Sequence, residues 1–155
     1  MYTDKNTRIA EAASLTAGTT TYTDGIDLGA LTREIGEGQD LYMVFTVTTT
    51  VAGSGNVYFE AGYSSSSSSP SSSFVPFGQA TGYSAATLTA GTQIVVRLNP
   101  IVNSPLATPD VTRGLRYVYG RVIAATQPSA GAVTCDIVTD IQDGKKFYSS
   151  GISFS

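Results

Sequence analysis

The sequence predicts an all-β fold, and three observations carry that prediction. Apolar residues recur at every second position in several short runs, no segment keeps a 3.6-residue period beyond a turn or two, and Gly, Ser and Pro gather where the runs stop. Taken in order, the chain begins with Thr7–Leu15, whose Ile9, Ala12 and Ala13 suit either a short helix or an extended arm. Ile26–Leu31 is a weak strand. Leu41–Thr50 is a strong one: Leu41, Met43, Phe45 and Val47 form one apolar face, with Thr46, Thr48 and Thr50 on the other. After Ala52-Gly53-Ser54-Gly55 the alternation resumes as Val57, Phe59 and Ala61, with Glu60 opposite. Two such runs around a glycine-rich turn predict a hairpin with one face buried.

Ser64–Ser73 holds nine serines around Pro70. Such a stretch buries too little apolar area to offset the entropy of ordering, which predicts a mobile exposed loop, serving either as a contact loop or as a slack connector. Phe74–Tyr83 is a weak strand, and Pro76 assigns it to a sheet edge. Gln93–Leu98 points Ile94, Val96 and Leu98 inward and Arg97 outward, and Asn99–Asp110, with Pro100, Pro105 and Pro109, reads as an extended crossover between sheets. Leu115–Ala125 carries Tyr117, Val118, Tyr119, Val122 and Ile123 over both faces, so it is central or covered by another layer. The turn Gln127–Gly131 leads to Ala132–Ile141, which directs Val133, Cys135, Ile137 and Ile141 one way and Thr134, Asp136 and Asp140 the other. Roughly seven or eight short strands with turn-rich joints imply a sandwich, a barrel or a jelly roll, and period alone does not choose among them.

Composition bounds the function. At 155 residues the chain makes one domain, and a domain of that size buries about 68–70% of its unfolded surface without needing disulfides or metals. Charged residues are 14% of the chain, against about a quarter in an average protein. A net charge of -3, with Lys145-Lys146 the only adjacent basic pair, argues against nucleic acid as a partner. The first residues carry Asp4, Lys5, Arg8 and Glu11 and no apolar stretch, so no signal peptide is expected, and no run is long enough for a membrane helix. Asn103-Ser104-Pro105 is not a glycosylation acceptor. Synthesis in a reducing cytoplasm is the expectation.

The residue inventory points away from enzymatic chemistry. Histidine is absent, which removes the commonest general base and metal ligand. The single cysteine, Cys135, lies on an apolar strand face, where an inert thiol is expected. Asp136 and Asp140 are about 13 Å apart along a strand, wider than the roughly 5–9.5 Å of glycosidase carboxylate pairs. Glu60 is the remaining candidate partner for a hydrolase. No cofactor or metal motif is present. The tyrosines Tyr58, Tyr63, Tyr117 and Tyr119 are candidates for exposed contacts, either against protein or against carbohydrate.

Three stretches carry a resemblance. An Ala-rich, then Thr-rich N-terminal segment leads to Gly25-Ile26-Asp27-Leu28-Gly29, and Arg33-Glu34-Ile35-Gly36-Glu37-Gly38-Gln39-Asp40-Leu41-Tyr42 enters the strand from Met43. Gly114-Leu115-Arg116-Tyr117-Val118 enters the long strand, which is followed by the Pro128–Gly131 turn. The tail contains Lys146-Phe147-Tyr148-Ser149-Ser150-Gly151-Ile152. In this succession the chain resembles the jelly-roll cement (decoration) proteins of Bordetella-phage-type capsids, while the serine loop and Lys145-Lys146 depart from that pattern.

The resemblance implies an antiparallel jelly-roll sandwich over 1–155, with an extended N-terminal arm (1–24), the serine-rich loop (64–73) and a C-terminal tail (147–155). It also implies a homo-oligomer, dimer or trimer, on the outer surface of the virion. Its partner would be the major capsid protein of an HK97-fold phage head. On that reading Met1–Ala12 and Phe147–Ser155 reach toward capsid subunits, with Tyr2 and Ile9, and Phe147, Tyr148, Ile152 and Phe154, as interface anchors. The bland alternative makes both ends edge strands or frayed termini. The competing functional reading is a carbohydrate-binding or host-adhesion module of a virion.

Overall fold

The alternation becomes two packed sheets in the structure, a computed structural model that describes residues 8–27, 41–98 and 117–139. Strands β1 (Arg8–Ser14), β4 (Leu41–Ala52), β8 (Gln93–Leu98) and β10 (Ala130–Val138) form a four-stranded sheet in the order β1-β10-β4-β8. The second sheet runs β2-β9-β5-β6, from Thr20–Tyr22, Tyr117–Ala124, Asn56–Ser64 and Val75–Gln79. The two-residue strands β3 (Ile26–Asp27) and β7 (Tyr83–Ser84) extend it by pairing with β9 and β5. All pairings are antiparallel. Successive long strands pass from one sheet to the other, and the two orders together are those of a jelly roll.

That topology corrects the hairpin expectation. β4 pairs with β10 and β8, whereas β5 pairs with β9, β6 and β7, so the two runs around Ala52–Gly55 lie in different sheets. Period two says only that one face is buried. It cannot tell strands lying side by side from strands lying face to face. Here they face each other: Phe45 and Phe59 meet across the sandwich with ring centroids 5.2 Å apart. The expected inward residues Met43, Phe45, Val47, Val57, Phe59, Ala61, Ile94, Val96 and Leu98 are all in the core. β9 is an interior strand and β6 with its Pro76 is at an edge, as the sequence implies, and β10 is interior as well.

The N-terminal segment is a second correction. Residues 8–14 are neither helix nor free arm but an edge strand, bulged twice against β10, between Arg8 and Ala10 and between Ala10 and Ala13. The bulges place Ile9 and Ala10 both inside, which breaks the two-residue period and imitates a helical one. Ile9 is 3% exposed and packs in the core, so it is no anchor of a reaching arm. β2 and the residues up to Asp24 complete the described part of the region expected to be an arm. Tyr2, Phe147, Tyr148, Ile152 and Phe154, the Asn99–Asp110 crossover and Asp140 lie outside the described residues.

One position limits how closely the sheets approach. β9 turns Val118, Val122 and Ala124 inward, with Gly120 between them, and a Cβ there would lie 2.9 Å from Met43 Sδ, Phe45 Cζ and Thr23 Cγ2. The absent side chain is the space that the other three fill. Close by, Thr23 N–H donates to the Gly120 carbonyl at 2.9 Å, and Gly120 N–H donates back to Thr23 Oγ1 at 2.8 Å. Asp24 N–H donates to the Ile9 carbonyl at 2.7 Å, joining the two sheets at the β1/β2 edge.

Gly120→Ala is expected to cost about 1–3 kcal/mol through overpacking, read as a lower urea midpoint with unchanged m. Cys135 supplies a second test. Burial, and then the neighbouring Asp136, push its thiol well above the ordinary 9.0. Above that pH the unfolded chain ionises while the folded chain keeps its proton, so the folded state binds more protons and stability falls as pH rises. The thiol's share of that slope approaches roughly 1.4 kcal/mol per pH unit. Urea titrations at about pH 8 and about pH 10 should show a shallower loss in Cys135→Ala than in the parent.

Candidate functional site

The outer face of the six-stranded sheet collects the side chains that the core does not use. Even positions of β5 (Tyr58, Glu60, Gly62, Ser64) meet odd positions of β9 (Ile123, Arg121, Tyr119, Tyr117) in register, each pair directly opposed. An outer sheet face is ordinarily wet. This one is largely covered: Glu60, Ser64 and Tyr119 are buried, and Tyr58, Tyr117 and Arg121 are half-buried.

The cover is the segment after β5. Phe74 lies over Gly62, where a Cβ would come within 2.5 Å of the ring's Cζ, so only glycine admits the ring. Phe74 also stacks on the Arg121 guanidinium, 4.2 Å from Cζ to the ring centroid, and meets Tyr22 edge-on at 5.6 Å. Beneath it, Arg121 Nε donates to Glu60 Oε2 at 2.7 Å and Nη2 bonds the same oxygen. Burial alone would lower the guanidinium's pKa. Hydrogen bonds to Tyr22 and Glu60 and the nearby Glu60 charge outweigh it and hold Arg121 above its ordinary value. A buried carboxylate thus has its partner, and the pair is fixed under an aromatic lid.

The serine-rich segment is a folded loop, not a slack connector. Ser64 and Ser73 share a hydrogen bond between their hydroxyls at 2.8 Å, and the Ser65 hydroxyl donates to Ser73 Oγ at 2.8 Å. Ser66 Oγ accepts from the N–H groups of Ser68 and Ser69, and Pro70–Ser72 form one 3-10 turn. Short hydroxyl side chains satisfy the loop's own backbone where apolar burial is unavailable. The phenol of Tyr119 then donates to the Ser66 carbonyl at 2.8 Å, tying the loop to β9. Burial, then Tyr117 and Asp24, raise the Tyr119 pKa, so the phenol remains a donor across the neutral range.

Between this loop and the bend from β2 to β3 lies a cleft of about 450 Å³, lined by Tyr22, Asp24, Tyr119 and serines of the loop. It is a concave, mostly polar feature of the size that small ligands occupy.

The structure separates the other candidates. Glu60 and Asp136 lie on the outer faces of different sheets, each with its own arginine: Asp136 accepts from Arg8 Nε at 3.1 Å and is 4% exposed. The structure thus does not bring them together as a carboxylate pair. Tyr63 and Tyr119, expected as exposed contacts, are buried, Tyr63 on the core side. Among the described residues no cluster of His, Cys, Asp or Glu could hold a metal ion. Arg121, Phe74, Tyr22 and Asp24 are the functional residues that the sequence analysis does not single out. Only a correct register between β5 and β9 would have joined Glu60 to Arg121.

The family model Bbp16 matches residues 9–137, from β1 into β10. No curated protein matches the chain.

Truncating Glu60 to Ala leaves a half-buried guanidinium without its carboxylate. The expected loss is about 2–4 kcal/mol, at the low end for a buried pair because the Arg121 side chain keeps 20% exposure. The double variant Glu60→Leu/Arg121→Met is expected to recover most of it. Urea denaturation of the parent, both single variants and the double completes the cycle.

Proposed function

The chain belongs to the Bbp16 family, which is phage-related, and from that membership we propose that it is a structural protein of a phage virion, a cement protein of the capsid. The family match across residues 9–137 is the observation that carries this reading. On this proposal the protein binds the outer surface of an HK97-fold head as a homo-oligomer, bridges neighbouring major capsid subunits, and catalyses nothing.

The physical case is consistent with it. Packaged DNA strains a thin shell, and each added interface resists subunit separation. A standard contact buries about 800 Å² per partner, and many copies, each touching several subunits, act by avidity, so a single contact can be modest. A jelly roll, an architecture shared by viral capsid and lectin domains, supplies a stiff body on which loops and chain ends are displayed. The low proportion of charge suits a surface that packs against protein, because charged groups are depleted at interface cores. The tail anchors Phe147, Tyr148, Ile152 and Phe154 and the N-terminal Tyr2 remain the proposed contact residues. Ile9 is not among them.

The test is sedimentation with shells assembled from the major capsid protein of the phage that carries this chain. Cosedimentation in a fixed stoichiometry, together with a raised thermal or osmotic threshold for shell disruption, is the expected result. A protein that stays in the supernatant and leaves shell stability unchanged is no cement. Deleting residues 147–155 should weaken attachment while leaving the thermal unfolding of the isolated protein nearly unchanged.

A further inference from the structure

We infer that the cleft between the serine loop and the β2–β3 bend is a binding site for a neutral saccharide of one or two rings. Its chemistry selects the ligand class. Ser67, Ser68, Ser69 and Ser71 line it, all four exposed, and their hydroxyls bond no other described residue. Each can donate and accept, as can each hydroxyl of a sugar. Asp24 adds one exposed carboxylate, an acceptor able to take two hydroxyl protons of a vicinal diol. Tyr22, half-buried, contributes aromatic surface for the C–H face of a pyranose ring, while the buried Tyr119 holds the wall behind it through Ser66.

Rival ligands fit less well. No lysine or arginine lines the cleft, and Asp24 repels an anion, so a phosphate or an acidic sugar lacks a partner. An ammonium or guanidinium group could pair with Asp24, but it only donates, and the array of donor-capable hydroxyls would be left unmatched. The volume of about 450 Å³ lies within the usual range for small-ligand pockets and accommodates one or two sugar rings.

Both walls are held before any ligand arrives. Tyr119 fixes the loop through Ser66, and the internal serine bonds fix the loop to itself. On the opposite wall, Thr23 is tied twice to Gly120, its hydroxyl donates to the Asp24 carbonyl at 3.0 Å, and Asp24 N–H is tied to Ile9. A preformed site loses little entropy on binding, which matters for a ligand whose hydrogen bonds compete with water.

The inference is independent of the capsid proposal, because it is tested on the isolated full chain. The isotope-labelled protein is titrated with glucose, galactose, mannose, N-acetylglucosamine and their common disaccharides, each to about 50 mM, while backbone amide shifts are followed. At least one sugar should give saturable shifts confined to Tyr22–Gly25, Ser67–Ser71 and Tyr119, with Kd on the order of millimolar. Asp24→Asn should weaken it about fivefold or more, and Ser68→Ala/Ser71→Ala likewise, with the remaining spectrum unchanged. No saturable cleft shift with any sugar overturns the assignment. So does saturable binding of lysine methyl ester or inorganic phosphate in place of sugar, or sugar shifts that Asp24→Asn leaves untouched.

Discussion

Two sheets can pack closely only where side chains from one leave room for those of the other, and in this molecule that room is at Gly120. Met43 and Phe45 from the facing sheet and Thr23 from the chain beside β9 all crowd toward its Cα. The missing methyl sets the distance at which Phe45 meets Phe59, and with it the depth of the core. The same place fixes the edge. Because Thr23 sits against Gly120, its hydroxyl can accept from the strand's N–H while its own N–H pairs with the strand's carbonyl. Asp24 then follows, and its N–H donates to the Ile9 carbonyl across the sandwich. One wall of the cleft is a consequence of how the core closes.

The other wall answers a different problem. A sandwich has two outer faces, and a chain with only 14% charged residues has few long polar side chains with which to coat them. On the six-stranded sheet the solution is to fold a loop back over the face. Phe74 covers Gly62 and stacks on Arg121, which is in turn neutralised by Glu60. A buried ion pair adds little net stability compared with an apolar pair, but it permits only one register of β5 against β9. Slipping either strand by one residue would send its member of the pair, Glu60 or Arg121, into the apolar core and leave the other without its partner, at a cost far above that of a surface contact. The serine loop is anchored to this arrangement through Tyr119, so the cleft inherits its shape from the strand register.

What could be read in the sequence follows a single physical divide. Alternation reports which face of a strand is buried, and it identified nearly all of the inward residues of β4, β5 and β8 as well as the interior character of β9. It carries no information on the neighbour. Hence β4 and β5 look like a hairpin in sequence although they face each other across the core, and Glu60 looks like a lone outward acid although Arg121 is directly opposite. Ile9 and Ala10 are a third case, since β-bulges insert residues that break the period while leaving the strand intact. The serine segment misled for another reason. Burial of apolar area is the usual source of order, but this loop is ordered by hydroxyls bonding its own backbone, a mechanism that composition conceals.

The proposed capsid role and the proposed saccharide cleft make opposite demands on affinity, and copy number would reconcile them. A lone cleft of four serines, one carboxylate and Tyr22 would compete with water for every hydrogen bond, so the proposed site would bind a single sugar weakly by construction. A shell displaying many copies converts weak sites into strong attachment, provided that several reach one surface at once. Reach of that kind requires a cleft held in fixed orientation relative to the part of the molecule that grips the shell. The jelly roll gives the cleft a fixed place on its core: the cleft walls are bonded to β9 and β1, which belong to the two sheets. A flexible loop of the same composition would lose in ordering entropy what the hydroxyls gain. The stiffness that makes a good clamp is therefore also what a weak site needs if it is to act collectively.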